Sequence, residues 1–153
     1  EIQKEYLALV VGDVATGGRI DKPLKKDEYS GRVSIAPLSE GGKTAITDYY
    51  VEKRFGDYTL LRLDLLTGRT HQLRVHLASI HHPIVGDEKY GDFEDCRKLK
   101  RLTGIDYQLL HAHKISFKNV SGVLSPLKGK EIAAPMPKEI SIAIEKLCIR
   151  IDN

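Results

Sequence analysis

The sequence has few cysteines and no long hydrophobic run. Its two cysteines, Cys96 and Cys148, form no Cys-x-x-Cys pair, so neither a zinc knuckle nor a disulfide framework is indicated. No apolar run approaches the roughly 18 residues that a membrane-spanning helix needs. With 41% hydrophobic and 29% charged residues among 153, the composition is typical of one soluble globular domain, which we expect in the reducing cytoplasm.

Several common catalytic and phosphate-binding motifs are also missing. The sequence contains no Gly-x-Ser-x-Gly of a serine hydrolase, and no Gly-x-Gly-x-x-Gly or Walker A loop of a nucleotide site. It has no His-Glu-x-x-His, and His71 and His76 project about 140° apart on a helix. We therefore expect no metal site. Because all six histidines fall between residues 71 and 113, a metal-dependent hydrolase remains an alternative.

The overall charge says little about a nucleic-acid partner. Lysine and arginine number 24 against 21 acidic residues, which gives a formal charge of +3. The basic residues are clustered locally, and the two clusters are Arg97, Lys98, Lys100 and Arg101, and Lys22, Lys25 and Lys26. Either cluster is compatible with a solvated surface or with contacts to phosphate.

The hydrophobic pattern predicts an α+β protein. Strands are predicted at 5–12, 44–55, 58–66 and 109–117, and Gly56-Asp57 joins the second and third as an antiparallel hairpin. A helix is predicted from Thr70 as its cap to Pro83, and another after Pro137, whereas 86–101 has no predicted element. Strands outnumber helices, so we expect a mixed, mostly antiparallel sheet with flanking helices.

The stretch GRTHQLRVH (68–76) predicts a glycine turn that leads into a helix. Leu73, Leu77 and Ile80 form an apolar stripe, and Arg74 lies about 100° around the helix from Leu73. The free N–H groups of such a helix end, together with arginine, suit a phosphate or a carboxylate. A well-capped helix with basic residues on its surface would give the same pattern.

Asp64, in the segment Arg62-Leu63-Asp64, is a candidate nucleophile. In the predicted strand 58–66, Leu61, Leu63 and Leu65 share one face, and Arg62 and Asp64 share the other. This alternation favours a polar-face strand residue.

Several segments together resemble the RluA-type pseudouridine synthases, which isomerise uridine in structured RNA. The segments are QKEYLALVVG (3–12), GGKTAITDYYV (41–51), LLTGRTHQLRVHLASIHHPIVGDEKYGD (65–92), LLHAHKISF (109–117) and AAP (133–135). They occur in the family's order and cover nearly the whole chain. The resemblance implies the pseudouridine synthase catalytic-domain fold, a bisected sheet flanked by helices. It also implies ribosomal RNA as the partner and no metal or organic cofactor.

The resemblance also implies roles for individual residues. Tyr6 matches the tyrosine that packs against the target base. Arg74 matches the basic residue that pairs with the catalytic aspartate, and such a pair lowers the pKa of the carboxyl group. The residues expected to contact RNA are Arg69, Thr70, His71 and Gln72.

The sequence departs from the family at the catalytic aspartate. The family carries it in a His-Arg-Leu-Asp-x-x-Thr-Ser-Gly motif ahead of the Lys-x-Tyr strand, which begins here at Lys4. Arg62-Leu63-Asp64 follows Tyr6 and has neither the preceding histidine nor the serine, so we expect Asp64 to be structural. Arg74 is then expected to have no aspartate partner in this chain.

We therefore expect residues 1–153 to be a single domain that is the C-terminal portion of a catalytic domain and inactive by itself. A non-catalytic RNA-binding module on the same scaffold is the alternative. Because part of the sheet would be missing, we also expect lower stability than the parent domain or assembly with a second copy at an exposed sheet edge.

Overall fold

The computed structural model describes residues 2–148. Its strands are β1 (Ile2–Val11), β2 (Gly18–Asp21), β3 (Leu24–Lys26), β4 (Val33–Ile35), β5 (Ile46–Arg54), β6 (Tyr58–Leu65), β7 (Leu110–Phe117) and β8 (Glu131–Ala133). Its α-helices are α1 (Gln72–Ser79), α2 (Phe93–Thr103) and α3 (Lys138–Cys148), and short 3₁₀ turns span Leu38–Glu40 and Gly122–Leu127. None of the helices described between residues 2 and 148 is long and apolar enough to cross a bilayer.

Six of the strands form one sheet in the order β2-β5-β6-β1-β7-β8, and β3 and β4 form a separate hairpin. Every pairing among the described strands is antiparallel. The predicted α+β class and mostly antiparallel sheet are confirmed. The edges of the sheet, as far as residues 2–148 form it, are β2 and β8.

Both faces of the central strand β1 are buried, because its side chains alternate between two cores. Ala8 and Val10 pack with Leu73 and Leu77 of α1 on one face. Leu9 points to the other face and joins the apolar side chains of α2 and α3. Burial of each large aliphatic side chain contributes roughly 1.5–3 kcal/mol, so β1 ties the two layers of helices to one sheet.

The hairpin predicted around Gly56 is confirmed. The N–H of Phe55 donates to the carbonyl of Tyr58 over 2.8 Å, which closes the turn between β5 and β6. Gly56 has φ +91°, a left-handed conformation that glycine adopts without steric cost. The alternation predicted for β6 is also confirmed, since Leu61 and Leu63 are completely buried and their neighbours are not.

The first helix differs from the prediction at both ends. Its cap is His71, which has φ 54° and no side-chain capping bond, so the prediction that Thr70 caps the helix was wrong. The side chain of Gln72 closes this turn instead, by accepting a hydrogen bond from the N–H of Arg69. The helix ends at Ser79 rather than near Pro83, because His81 turns the chain with φ 67°. The apolar stripe of Leu73 and Leu77 is confirmed.

The basic segment at 97–101, for which no element was predicted, lies within α2. Asp92 caps this helix by accepting a hydrogen bond from the N–H of Asp95 over 2.9 Å. Gly104 ends it with φ 79°. Leu99 is the completely buried residue of the helix and docks it on the core. The other side chains are mostly charged, so the helical pattern was weak, although the aspartate and glycine at its ends are ordinary helix-boundary signals.

Candidate functional site

Arg74 projects from α1 and forms a two-pronged ion pair with Asp87. Its Nε donates to Oδ2 and its Nη2 donates to Oδ1, both over 2.8 Å. Asp87 has no exposed surface, and the backbone N–H groups of Lys89 and Tyr90 also donate to Oδ1 over 3.1 Å. The expectation that Arg74 has no aspartate partner in this chain was wrong. The reason is that the loop after α1 folds back beneath the guanidinium.

Both members of this pair are charged. Burial by itself would raise the pKa of Asp87, but the hydrogen bonds and charge of Arg74 and the bonds from Tyr90 and Lys89 outweigh burial and leave the pKa below its ordinary value. The hydrogen bond to Asp87 raises the pKa of Arg74. Asp87 has no access to solvent and both of its oxygens are engaged, so it holds Arg74 in place rather than attacking a substrate.

Two glycines bracket the loop that carries Asp87. A side chain at Gly86, which has φ +88°, would collide with the backbone carbonyl of Tyr107. A side chain at Gly91 would collide with the carbonyl oxygen of Asp87 itself. In the sequence, the two glycines are a signal of a tightly packed loop, but they do not indicate that Asp87 pairs with Arg74.

Tyr90 joins the start of α1 to the β3–β4 hairpin. Its hydroxyl oxygen accepts a hydrogen bond from the N–H of Val33 over 3.0 Å and lies 2.8 Å from Nδ1 of His71. The guanidinium of Arg74 lies 5.0 Å from the centre of the tyrosine ring. Burial, followed by the charges of Arg74 and Lys89, lowers the pKa of His71, which fits a neutral ring whose Nδ1 accepts a hydrogen bond from the Tyr90 hydroxyl.

Gln72 is buried, and all its polar contacts lie within the chain. Its Oε1 accepts from the hydroxyl of Thr67 and the N–H of Arg69, and its Nε2 donates to the carbonyl of Ile46 and the hydroxyl of Thr47. The amide therefore shapes the loop 67–71 and does not face solvent. The expected contact of Gln72 with RNA stays a prediction, and in the structure its amide holds the N–H of Arg69.

The exposed residues Arg69 and Thr70 line a pocket of about 420 Å³. The opposite wall belongs to the β3–β4 hairpin and to the turn at 41–43, and its basic lining residues are Lys25, Lys26 and Lys43. Nε of Arg69 donates to the carbonyl of Thr44 over 2.9 Å, and no other residue between 2 and 148 occupies the terminal amino groups of the guanidinium. The pocket is therefore suited to an anion.

Tyr6 lies on the same side of the sheet as α1. Its side chain is half-buried against the cluster that contains Ala8, Leu63 and Leu73. The structure therefore places the two residues expected to be catalytic, Tyr6 and Arg74, on one side of the sheet.

Asp64 lies on the opposite face of the sheet from Arg74. It pairs across the strands with Glu5, and Nε of Arg62 lies 3.6 Å from the Glu5 carboxylate. Burial, followed by the negative charge of Glu5, raises the pKa of Asp64. Because Leu63 next to it faces α1, the full thickness of the sheet separates the Asp64 carboxylate from the Arg74 guanidinium.

The most buried histidine has a structural environment. His76 is completely buried, with Nδ1 2.9 Å from the hydroxyl of Thr47 and Nε2 2.8 Å from the carbonyl oxygen of Lys22. Between residues 2 and 148, no group of three or more His, Cys, Asp or Glu side chains is placed to hold a metal ion.

Comparison with known proteins identifies relatives along most of the chain. The family described as RNA pseudouridylate synthase matches residues 1–79. Ribosomal large subunit pseudouridine synthase D of Vibrio cholerae is 36% identical over 148 residues, which are 92% of this chain and 43% of that protein. Ribosomal large subunit pseudouridine synthase C of Haemophilus ducreyi is 37% identical over 149 residues, 95% of this chain and 44% of that protein. The chain spans less than half the length of these curated relatives.

Solved structures agree with the sequence comparison. Human RNA Pseudouridylate Synthase Domain Containing 1 superposes with a TM-score of 0.68 at 28% identity, over 88% of this chain and 54% of that one. Human RNA Pseudouridylate Synthase Domain Containing 4 reaches a TM-score of 0.71 over 99% of this chain and 64% of that one, and at 22% identity it supports the fold. The resemblance predicted from the five segments is confirmed, and this chain belongs to the RNA pseudouridylate synthase family.

Proposed function

We propose that this chain is the C-terminal portion of a catalytic domain that isomerises uridine to pseudouridine in structured RNA, with ribosomal RNA as the substrate. The observation that carries the proposal is the geometry of Arg74. Asp87 holds Nε and Nη2, and among residues 2–148 nothing hydrogen-bonds to Nη1. The guanidinium can therefore receive a second carboxylate without giving up the first.

The reaction would break the bond from ribose to a uracil nitrogen and form a bond from the same ribose carbon to a uracil carbon. All atoms of the substrate are kept, so the chemistry needs no cofactor. In this proposal an aspartate initiates the reaction, Arg74 orients it and keeps it ionised, and Tyr6 packs against the target base. Arg69, Thr70 and His71 lie at the start of α1, where they would contact the RNA.

We further propose that residues 1–153 by themselves do not carry out this reaction. Asp64 is separated from Arg74 by the sheet, and Asp87 is completely buried with both carboxylate oxygens hydrogen-bonded. Neither of these aspartates can therefore contact a uridine and at the same time accept a hydrogen bond from Nη1 of Arg74. We place the protein in the cytoplasm, where Cys96 and Cys148, both free thiols in the structure, stay reduced.

The experiment is a pseudouridine assay on a large-subunit ribosomal RNA transcript, with the purified chain and with Vibrio cholerae synthase D as the positive control. We expect the chain to bind the transcript without forming pseudouridine. Pseudouridine formed by the chain would overturn the proposed inactivity, and loss of that activity in Asp64→Ala would identify Asp64 as the nucleophile after all. A chain that does not bind the transcript would contradict the proposed RNA substrate.

A non-catalytic RNA-binding module is the second candidate, and the basic pocket beside Arg69 favours it. The two candidates differ in the coding sequence upstream of Glu1. An in-frame His-Arg-Leu-Asp motif there would support the synthase, whereas an upstream sequence without it would support the module.

A further inference from the structure

The β3–β4 hairpin carries an exposed aromatic residue that is next in sequence to a residue lining the basic pocket. Tyr29 stands in the turn of this hairpin, and its side chain is fully exposed. The residue before it, Glu28, lines the pocket together with Lys26, the last residue of β3 before the turn. A large aromatic ring with no packing partner leaves apolar surface in water, and stacking on another ring would remove that surface.

The turn that carries Tyr29 has a defined conformation. Oδ1 of Asp27 accepts hydrogen bonds from the N–H groups of Tyr29 and Ser30 over 2.8 and 3.0 Å. These two bonds lower the pKa of Asp27, so its carboxylate is ionised and keeps the turn closed at neutral pH. Gly31 follows with φ +71° and donates to the carbonyl of Asp27. The ring of Tyr29 is therefore presented from an ordered turn.

The hairpin itself is fastened to the body of the protein. Leu24 and Val33 are buried with Ala45 and Val75 in a small core beneath it. The guanidinium of Arg32 donates to the carbonyl of Lys89 over 3.0 Å and lies 5.0 Å from the ring of Tyr90. The core beneath the hairpin and the contacts of Arg32 thus hold the hairpin in place beside the pocket.

The charges that line the pocket are largely uncompensated. Within residues 2–148, the amino groups of Lys26 and Lys43 form no hydrogen bond or ion pair. The amino group of Lys25 donates to the carbonyl of Glu40 over 3.1 Å, and Arg69 likewise contacts a carbonyl rather than a carboxylate. Four cations therefore face one pocket with Glu28 as the acidic lining residue, which is a favourable setting for phosphates.

We infer that the pocket and Tyr29 form one site for an unpaired stretch of RNA, in which Lys26, Lys43 and Arg69 hold phosphates and a base stacks on Tyr29. The inference rests on the proposed function, because it takes RNA to be the ligand, and it adds single-stranded character and an aromatic platform to that proposal. A duplex does not suit the site, since its bases are already stacked on one another. Base stacking on an exposed aromatic ring is tolerant of sequence, so the site selects unpaired nucleotides rather than a base identity.

The test compares a dye-labelled unstructured oligouridylate with an abasic strand of the same length, by fluorescence anisotropy. The unchanged chain should bind the oligouridylate about tenfold more tightly than the abasic strand. Tyr29→Ala should bind the oligouridylate as weakly as the abasic strand, and its affinity for the abasic strand should be unchanged. Tyr29→Phe keeps the ring and should retain the preference. Tyr107→Ala, which removes an exposed tyrosine elsewhere, is the matched control and should behave like the unchanged chain.

The phosphate contacts are tested through the salt dependence of binding. Lys26→Ala combined with Lys43→Ala should weaken binding to both strands. In a plot of the logarithm of the binding constant against the logarithm of the salt concentration, the steepness should fall by about 0.7 for each lost phosphate contact. Lys130→Ala, at an exposed lysine away from the pocket, is the control.

Two results would overturn the proposed single-stranded RNA site. The first is an unchanged preference for bases in Tyr29→Ala, and the second is a duplex of the same length bound as tightly as the single strand. Either result leaves the proposed function standing if ribosomal RNA is still bound. A chain that binds neither the oligonucleotides nor the ribosomal transcript removes both the inference and the proposed RNA substrate.

Discussion

Asp87 lies thirteen residues beyond Arg74 and holds its guanidinium with both carboxylate oxygens, while Asp87 itself has no exposed surface. Two backbone N–H groups of the same loop complete its hydrogen bonding. The relationship gives Arg74 a fixed orientation before any ligand arrives. In the proposed synthase, a second carboxylate would meet a guanidinium that is already positioned, so little conformational entropy would be lost on pairing.

Removal of the buried carboxylate should destabilise the fold strongly. We expect Asp87→Ala to lower the free energy of unfolding by about 3 kcal/mol, because it leaves Arg74 half-buried without a partner. The matched control is Asp13→Ala, which breaks the similarly two-pronged but exposed pair with Arg54 and should cost much less stability, because water screens the exposed charges. Urea denaturation of the two variants measures both values. Equal losses would show that burial adds nothing to the Arg74–Asp87 pair.

The stability of the fold should fall on mild acidification because of His76. Burial lowers the pKa of this histidine in the folded protein, whereas the unfolded value is about 6.5. Its contribution is therefore fully present above about pH 6.5 and is lost as the pH falls below that value toward the folded pKa. Urea titrations between about pH 7.5 and pH 5 measure the loss, and the range stays above the titration of most carboxylates. His76→Gln should flatten this dependence. A slope that is unchanged in the variant would assign the effect to other groups.

The loop before α1 should depend on the Gln72 amide. We expect Gln72→Leu to cost about 1–3 kcal/mol, because the N–H of Arg69 and the hydroxyl of Thr67 lose their acceptor. The same change should weaken RNA binding, since Arg69 loses its position. Gln108→Ala is the control and should change stability by less than about 0.5 kcal/mol, because its side chain makes no hydrogen bond within residues 2–148. If Gln72→Leu is destabilised but binds RNA with full affinity, the position of the loop before α1 does not affect binding.

Neutralisation of Asp64 should not harm the protein. Burial and Glu5 raise its pKa, so its negative charge is unfavourable in the fold above the unfolded value of about 3.9. We expect Asp64→Asn to leave stability at neutral pH unchanged or slightly increased, and to leave RNA binding unchanged. The denaturation midpoint and the binding assay check the two statements. A marked loss of RNA affinity would place the opposite face of the sheet in the binding site.

The edges of the sheet bear on self-association, which stays a prediction. Ile132 on the edge strand β8 is 56% exposed beside backbone groups that face outward from the sheet. We expect concentration-dependent assembly in analytical ultracentrifugation, reduced by Ile132→Lys. Val123→Lys, at an exposed valine outside the strands, is the control and should not reduce it. A monomer at all concentrations would contradict the prediction.

Local features of the fold could be predicted from the sequence wherever one short segment contained its own signal. The Gly56 turn and the leucine alternation of β6 are of this kind, because turn geometry and strand period act over a few residues. The same holds for the stripe of Leu73 and Leu77 on α1. The prediction of how α1 starts failed because the amide side chain of Gln72, rather than the hydroxyl of Thr70, closes the turn.

The candidate site was predictable in part. Arg74 could be placed off the apolar stripe, and the role proposed for it followed from a resemblance across nearly the whole chain. Its partner could not be predicted, since Asp87 lies in a loop where no periodic pattern connects it to α1. The basic segment at 97–101 was left without an element because one buried leucine, Leu99, is too little for a helical pattern.

By itself, the sequence determined the α+β class, the family, the faces of β6 and α1, and the position of Arg74, since these depend on local period and on motif order. The tertiary structure decided which carboxylate meets Arg74, which face Asp64 occupies, and that Lys26, Lys43 and Arg69 line one pocket. The physical reason is that ion pairs and pockets join residues distant in sequence. Their encounter depends on how the helices, loops and hairpin pack on the sheet, which no local pattern encodes.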